Sequence, residues 1–263
     1  MITIGIDPII FSIGHFHLRW YSLIVITAII IGVWLVSREA ARKGFKKDDI
    51  LDAAMWVILG GMIGARLFHV LDHWSDEYAA NPIRALYIWE GGLAIWGAIA
   101  GGLVVIVLIA WRRGWLLPRL LDAAAPGVVL GQAIGRFACI ITGDAMGKPT
   151  TGPFGFAFTN PEAMVPKLGV YYTPMPVYEI IANFGIFILL WQLRKRNWPD
   201  GLLFLVYLII YSVERFFLAF TSSYQILAFG MTQSQIVALI SLIIALPLLI
   251  RLQLRRNHVV VRG

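Results

Sequence analysis

The chain has 263 residues, of which 59% are hydrophobic and 14% charged, and its mean hydropathy is +0.77. That composition excludes a soluble globular protein and points to about seven membrane spans of ~20 residues each. The formal charge of +7 indicates membrane topology and no nucleic-acid partner, because the basic residues fall in short loops beside apolar runs.

In chain order, the first 17 residues carry no Lys or Arg, and the first apolar run is followed by a basic loop, so no cleavable signal peptide is expected. Seven apolar segments follow, at about 18–37, 50–71, 91–111, 119–141, 177–193, 202–220 and 233–251. The expected fold is an all-α polytopic membrane protein, a single seven-helix domain over residues 1–263. The single cysteine, Cys139, excludes an internal disulfide.

Loop charges set the expected orientation. Fifteen Lys and Arg residues occupy alternate loops and the C-terminal tail, among them Arg38, Lys43, Lys46, Arg112, Arg113, Arg119, Arg194 and Arg251. The opposite side has Arg84, Lys148 and Lys167 beyond the interfacial Arg19. The N-terminus is therefore expected outside and the C-terminus inside. Orientation also sets depth. Arg66, Arg136 and Arg215 fall in the outer thirds of the second, fourth and sixth spans, and Tyr21, Glu90, Trp96 and Glu179 come to the same level. Charges in apolar spans are costly and are expected to face a protein or water-lined interior with partners.

The stretch 142–176 is too long for an ordinary connection and too aromatic for a disordered tail (Phe154, Phe156, Phe158, Tyr171 and Tyr172). It is expected to form an extracytoplasmic head inserted in the membrane domain. The outer loop from Thr221 to Thr232 has no charge and reads either as a mobile lid or as a short turn. Glycines recur every four residues at Gly127, Gly131 and Gly135, at Gly60 and Gly64, and at Gly97 and Gly101, which predicts close helix packing.

The organising stretch runs from Gly135-Arg136 through Cys139, Thr142 and Asp144 to Gly147. With Arg19-Trp20-Tyr21, Gly64-Ala65-Arg66, Ile88 to Ile95, Pro174, Tyr178-Glu179, Tyr211 and Arg215-Phe216-Phe217, it resembles the bacterial prolipoprotein diacylglyceryl transferases over nearly the whole length. Several positions depart from the family pattern. Trp96 stands where the family has a histidine, Cys139 and Thr142 replace two asparagines, and Asp144 replaces a glutamate. Ala219 and Ser222 replace a glutamate and an arginine.

The resemblance implies transfer of a diacylglyceryl group from phosphatidylglycerol to the lipobox cysteine thiol of a prolipoprotein signal peptide. That forms a thioether at the outer leaflet of the bacterial inner membrane and needs no cofactor or metal. Such a reaction requires fixed cations for the phosphate, a proton acceptor for the thiol and a lateral opening for the acyl chains. Arg136, Asp144 and Glu179 are the candidate catalytic residues. Tyr21, Arg66, Glu90, Trp96, Gly147 and Arg215 are the candidate substrate-binding residues.

Plainer readings stand beside these. The arginines could be structural ion pairs with Glu179 or Glu214, Asp144 a turn residue, and Tyr21 an interfacial aromatic. His69 is a possible substitute for the missing histidine or simply an interfacial residue, and Cys139 reads as a small hydrophobe. Two other functions remain open from the sequence, a non-catalytic lipid-binding paralogue and, with less support, a small-solute transporter.

Overall fold

The computed structural model describes residues 1–14, 16–88 and 91–260, with the side chains of Phe16 and of 255–260 left undescribed. His15, Trp89 and the site candidate Glu90 therefore lie outside the described residues or side chains. Seven helices are long and apolar enough to cross a membrane. They are α1 (Trp20–Arg42), α2 (Lys47–Asp72), α3 (Ile95–Arg112), α4 (Leu117–Thr142), α5 (Met175–Leu193), α6 (Leu202–Leu218) and α7 (Gln233–Val260). Their positions agree with the seven predicted spans to within a few residues at most ends, the normal uncertainty of helix boundaries. Short strands accompany them: β1 (Ile2–Ile4), β2 (Ile9–Ile13), β3 (Phe16–Arg19), β4 (Phe156–Phe158), β5 (Ile226–Ala228) and β6 (Met231–Thr232).

The chain forms two compact units, residues 37–120 and residues 1–36 with 121–263. In the first, α2 and α3 cross at their glycines. A Cβ built on Gly64 would lie 2.3 Å from the Gly97 carbonyl oxygen, and one built on Gly97 would lie 2.2 Å from that of Gly64. Gly60 and Gly101 make a second contact of the same kind a turn away. Lipid tails give apolar helices little reason to associate, so this backbone-to-backbone approach supplies the packing attraction. Arg113, just past α3, pairs with Asp52 and lies 3.6 Å from Asp49 at the start of α2, which ties the other ends of these helices together.

In the larger unit, α1 meets α4 where Gly127 approaches the Gly32 carbonyl oxygen, 2.8 Å from a built Cβ. The buried core joins Ala125 and Val129 of α4 to Ile186 and Leu190 of α5 and Leu203 and Tyr207 of α6. Asp122, buried in α4, accepts hydrogen bonds from the Gly201 and Phe204 N–H groups at 2.9 and 2.8 Å. Those are orphan donors at the start of α6, so a carboxylate on one helix caps another.

The segment between α4 and α5 is folded on itself. Met146, Phe158 and Tyr172 form a small buried cluster with Ile4, Val165 and Val170 around it. β4 pairs in parallel with β1, in the register Ile2 to Phe156 and Ile4 to Phe158. The N-terminal strand is thus part of the same layer. β2 and β3 make an antiparallel hairpin leading into α1. In the loop after α6, β5 and β6 pair as a second hairpin, so this stretch has regular structure.

Candidate active site

Helix α4 brings Arg136 and Cys139 onto one face, one turn before its end. It stops at Gly143, whose φ of +76° favours glycine and whose N–H reaches the Cys139 carbonyl at 2.9 Å. Thr142 bonds back to the Ala138 carbonyl at 3.0 Å. This left-handed stop turns the chain sharply, and Asp144 folds back over the last turn. Its Oδ2 lies 4.0 Å from the Cys139 sulfur, which in turn lies 3.8 Å from Arg136 Nη1. A sequence that reads as helix, glycine and acid thereby forms a row of guanidinium, thiol and carboxylate. Tyr21, at the start of α1, is within electrostatic reach of all three.

Glu179 stands across from this row on α5. Its side chain is 1% exposed, so its charge needs direct compensation. Both oxygens receive it, Oε2 from Arg136 Nε and Oε1 from Arg215 Nη1. The result is an Arg–Glu–Arg triad drawn from α4, α5 and α6, with one net positive charge. Arg136 is the more open of the two arginines, at 26% side-chain exposure against 15% for Arg215. Tyr224, in the loop after α6, is within electrostatic reach of Arg215. The triad is suited to an anion that approaches from the Arg136 side.

Gly147 serves a different need. Its N–H bonds the Thr173 carbonyl at 2.9 Å, and a Cβ there would lie 2.5 Å from the Thr221 carbonyl oxygen. Next to it, Lys148 bonds Thr221 and Phe220 carbonyls through its N–H and Nζ, and Ser223 Oγ bonds the Met146 carbonyl at 3.0 Å. Gly147 is thus a tight backbone crossing that fastens the α4–α5 segment to the end of α6.

Arg66, in the smaller unit, has its guanidinium fully occupied. Its five N–H donors are matched by five carbonyl contacts: Nε to Ala85, Nη1 to Gly91 and Gly92, and Nη2 to Arg84 and Tyr87. It also lies 5.4 Å above the Tyr78 ring. Arg66 therefore wraps the segment after α2, and no N–H remains on it for a phosphate. Gly92 is required beside it, with φ +72° and a built Cβ only 2.5 Å from His69 and 2.7 Å from Arg66 Nη1. His69 stacks on His73 at 4.3 Å and lies 3.8 Å from Glu77. Trp96 sits half-buried in the first turn of α3.

The structure therefore gathers Tyr21, Arg136, Asp144, Glu179 and Arg215 into one cluster and puts Arg66 to structural use. Sequence reasoning missed Tyr224, which sits in a stretch without charge. It also took Glu214 only as a possible arginine partner, whereas Arg215 turns to Glu179. Both Glu214 oxygens are buried and have no hydrogen-bond partner among the described residues.

Seven helices long and apolar enough to cross a membrane, with a buried Arg–Glu–Arg triad drawn from three of them, define a multi-pass membrane protein. The family model for prolipoprotein diacylglyceryl transferase matches residues 8–251, and the chain belongs to that family. A relative from Halalkalibacterium halodurans, named phosphatidylglycerol–prolipoprotein diacylglyceryl transferase, is 39% identical over 216 residues, covering 81% of this chain and 74% of its own. Relatives of the same name from Bacillus cereus and Bacillus anthracis are 39% identical over 215 residues, covering 81% of this chain and 79% of theirs.

Proposed function

We propose that this protein transfers the diacylglyceryl group of phosphatidylglycerol to a prolipoprotein, as the names of its relatives indicate for them, and that the acceptor is the lipobox cysteine of the signal peptide. The observation that carries the reading is the Arg136–Glu179–Arg215 triad, lying inside the span that the family matches. The substrate thiol attacks a glycerol carbon, a sulfur–carbon bond forms, and the carbon–oxygen bond to phosphate breaks with its electron pair on oxygen. Negative charge grows on that phosphate oxygen as glycerol phosphate departs. A preorganised guanidinium in a dry site stabilises that change, because the cation is already in place before the charge develops.

Arg136 takes the phosphate in this scheme. Glu179 holds both guanidiniums in register, Arg215 braces Glu179 from the far side, and Tyr21 and Asp144 supply polar contacts to the headgroup. Arg66 shapes the smaller unit instead of binding phosphate, since its donors are committed to carbonyls. Gly147 sets the position of the head over α6. Loop charges support an N-terminus outside, a C-terminus in the cytoplasm and a site at the outer leaflet of the inner membrane.

The test is transfer by purified protein mixed with phosphatidylglycerol and a lipobox peptide, read by mass spectrometry. The expected product is peptide carrying one diacylglyceryl group, with glycerol phosphate released in equal amount. Binding of phosphatidylglycerol with no modified peptide would favour a lipid-binding relative without transfer chemistry.

A further inference from the structure

Thioether formation releases the thiol proton, and the triad offers no acceptor for it: both Glu179 oxygens are held by arginines. Asp144 lies against the Cys139 thiol. Glu214 is different. It sits in α6, inside a predicted span, with both carboxyl oxygens shielded and without a hydrogen-bond partner among the described residues. An unpartnered acid at membrane depth is costly, and such groups are kept where they act.

Its neighbours place it beside the proposed site. Helical spacing puts Tyr207, Tyr211 and Glu214 on one face of α6, with the Tyr207 and Tyr211 rings stacked at 5.7 Å. Tyr207 donates to Gln132 Oε1 on α4 at 3.1 Å, and Gln132 lies one turn before Arg136. The α6 face therefore opposes the α4 face that carries Arg136, and Glu214 is within electrostatic reach of that guanidinium.

We propose that Glu214 is the acceptor of the substrate thiol proton, an assignment that rests on the transferase reading above. In the reaction the Sγ–H bond breaks and the proton moves to the Glu214 carboxylate, directly or through the Tyr211 hydroxyl. The sulfur pair forms the bond to the glycerol carbon, and the departing phosphate keeps the carbon–oxygen pair. Arg136 faces both the acid and the phosphate, so loss of charge at one coincides with gain of charge at the other.

Among the described residues, the charged and titratable groups within electrostatic reach of Glu214 are Arg136 on α4 and Tyr207 and Tyr211 on α6, with Arg215 next in the chain; Glu179 on α5 and Tyr224 beyond α6 face that arginine. The described side chains of α7 add no charge apart from Arg251, far along the helix.

The experiment uses the full chain in detergent or nanodiscs, with phosphatidylglycerol and a lipobox peptide as probes. Glu214→Gln keeps the shape and an acceptor oxygen but removes basicity. It is expected to lower kcat at least ~100-fold, within the range for loss of a general base, to leave phosphatidylglycerol affinity within about twofold, and to abolish the acid limb of the pH profile. Glu214→Asp, which retains a carboxylate, is expected to recover part of the rate; it also decides the question if the glutamine variant inserts poorly. An active wild type whose glutamine variant keeps kcat and the acid limb would overturn the assignment while leaving the transferase intact. A loss confined to phosphatidylglycerol affinity would also overturn it, making Glu214 a headgroup contact. An inactive wild type would remove the underlying reading itself.

Discussion

Arg136 and Glu179 meet through guanidinium Nε and carboxylate Oε2, so the carboxylate engages the edge of the fork nearest the helix stem. Nη1 points to the Cys139 sulfur at 3.8 Å, and Nη2 has no hydrogen bond among the described residues. The pair thus fixes the cation without exhausting it. Its two terminal nitrogens remain the better donors for an incoming phosphate, and Arg215 supplies the second charge that lets one carboxylate anchor both.

Removing Glu179 is predicted to harm stability more than removing either arginine. Glu179→Gln leaves two guanidiniums facing each other beside a neutral amide, and breaking such a buried pair typically costs about 3–5 kcal/mol. Thermal unfolding in detergent should show a clear drop in midpoint for Glu179→Gln and a smaller one for Arg215→Gln. Equal midpoints for wild type and Glu179→Gln would contradict the triad's structural role.

Arg66 and Arg136 are predicted to fail differently. Arg66→Lys retains the charge but offers one compact ammonium to a group of five carbonyls, so it is expected to destabilise the backbone that Arg66 holds, at residues 84–88 and 91–92, by about 1–3 kcal/mol, the scale for unsatisfied buried acceptors. Hydrogen exchange would report this as loss of protection there. Phosphatidylglycerol affinity of the folded fraction should stay within about threefold, because Arg66 has no N–H to give a phosphate.

Much of the fold was legible because lipid imposes a length and a composition on each span. Gly64, Gly97 and Gly127 could be read as packing positions because only a missing Cβ allows that approach. Loop charge gives an expected level for the three arginines. Glu179 was legible as an arginine partner, whereas the partners of Arg66 were not. Arg66 is satisfied by carbonyls between Arg84 and Gly92, and backbone acceptors carry no sequence signal. Glu214 adjoins Arg215 in sequence, yet neighbours on a helix point about 100° apart, and Arg215 reaches across to Glu179. Gly147 was picked out by resemblance, while its reason, the Thr221 carbonyl at 2.5 Å from a built Cβ, needed the three-dimensional path.

The glycine crossing between α2 and α3 makes a further prediction. A methyl at Gly64 would lie 2.3 Å from a backbone oxygen, which cannot move aside as a flexible side chain would. Gly64→Ala is expected to cost about 1–3 kcal/mol through forced separation of the helices, and Gly64→Leu to prevent stable accumulation. Gly102→Ala is the control, since its built Cβ keeps an ordinary 3.5 Å from the nearest atom, on the Val57 side chain. Midpoints of thermal unfolding for the three variants would rank them.

Gly147→Ala is predicted to loosen the head from the end of α6 while the membrane helices stay folded. The new methyl would meet the Thr221 carbonyl and the Thr173 side chain, at 2.5 and 3.0 Å. Limited proteolysis should cut faster between residues 148 and 170, and transfer should fall at least ~10-fold, since displacement of a site element by about 1 Å can cost that much or more. Unchanged proteolysis and activity would show that the crossing relaxes freely.

The most direct test of the central claim is the transfer rate of Arg136→Gln against wild type, measured as diacylglyceryl-modified lipobox peptide at saturating peptide and varied phosphatidylglycerol, with the unfolding midpoint recorded for both. The account predicts a fall in kcat/KM of at least ~100-fold, on the scale of losing one preorganised donor to a developing anion, in protein that remains folded. A folded Arg136→Gln variant that transfers within about threefold of wild type would contradict it.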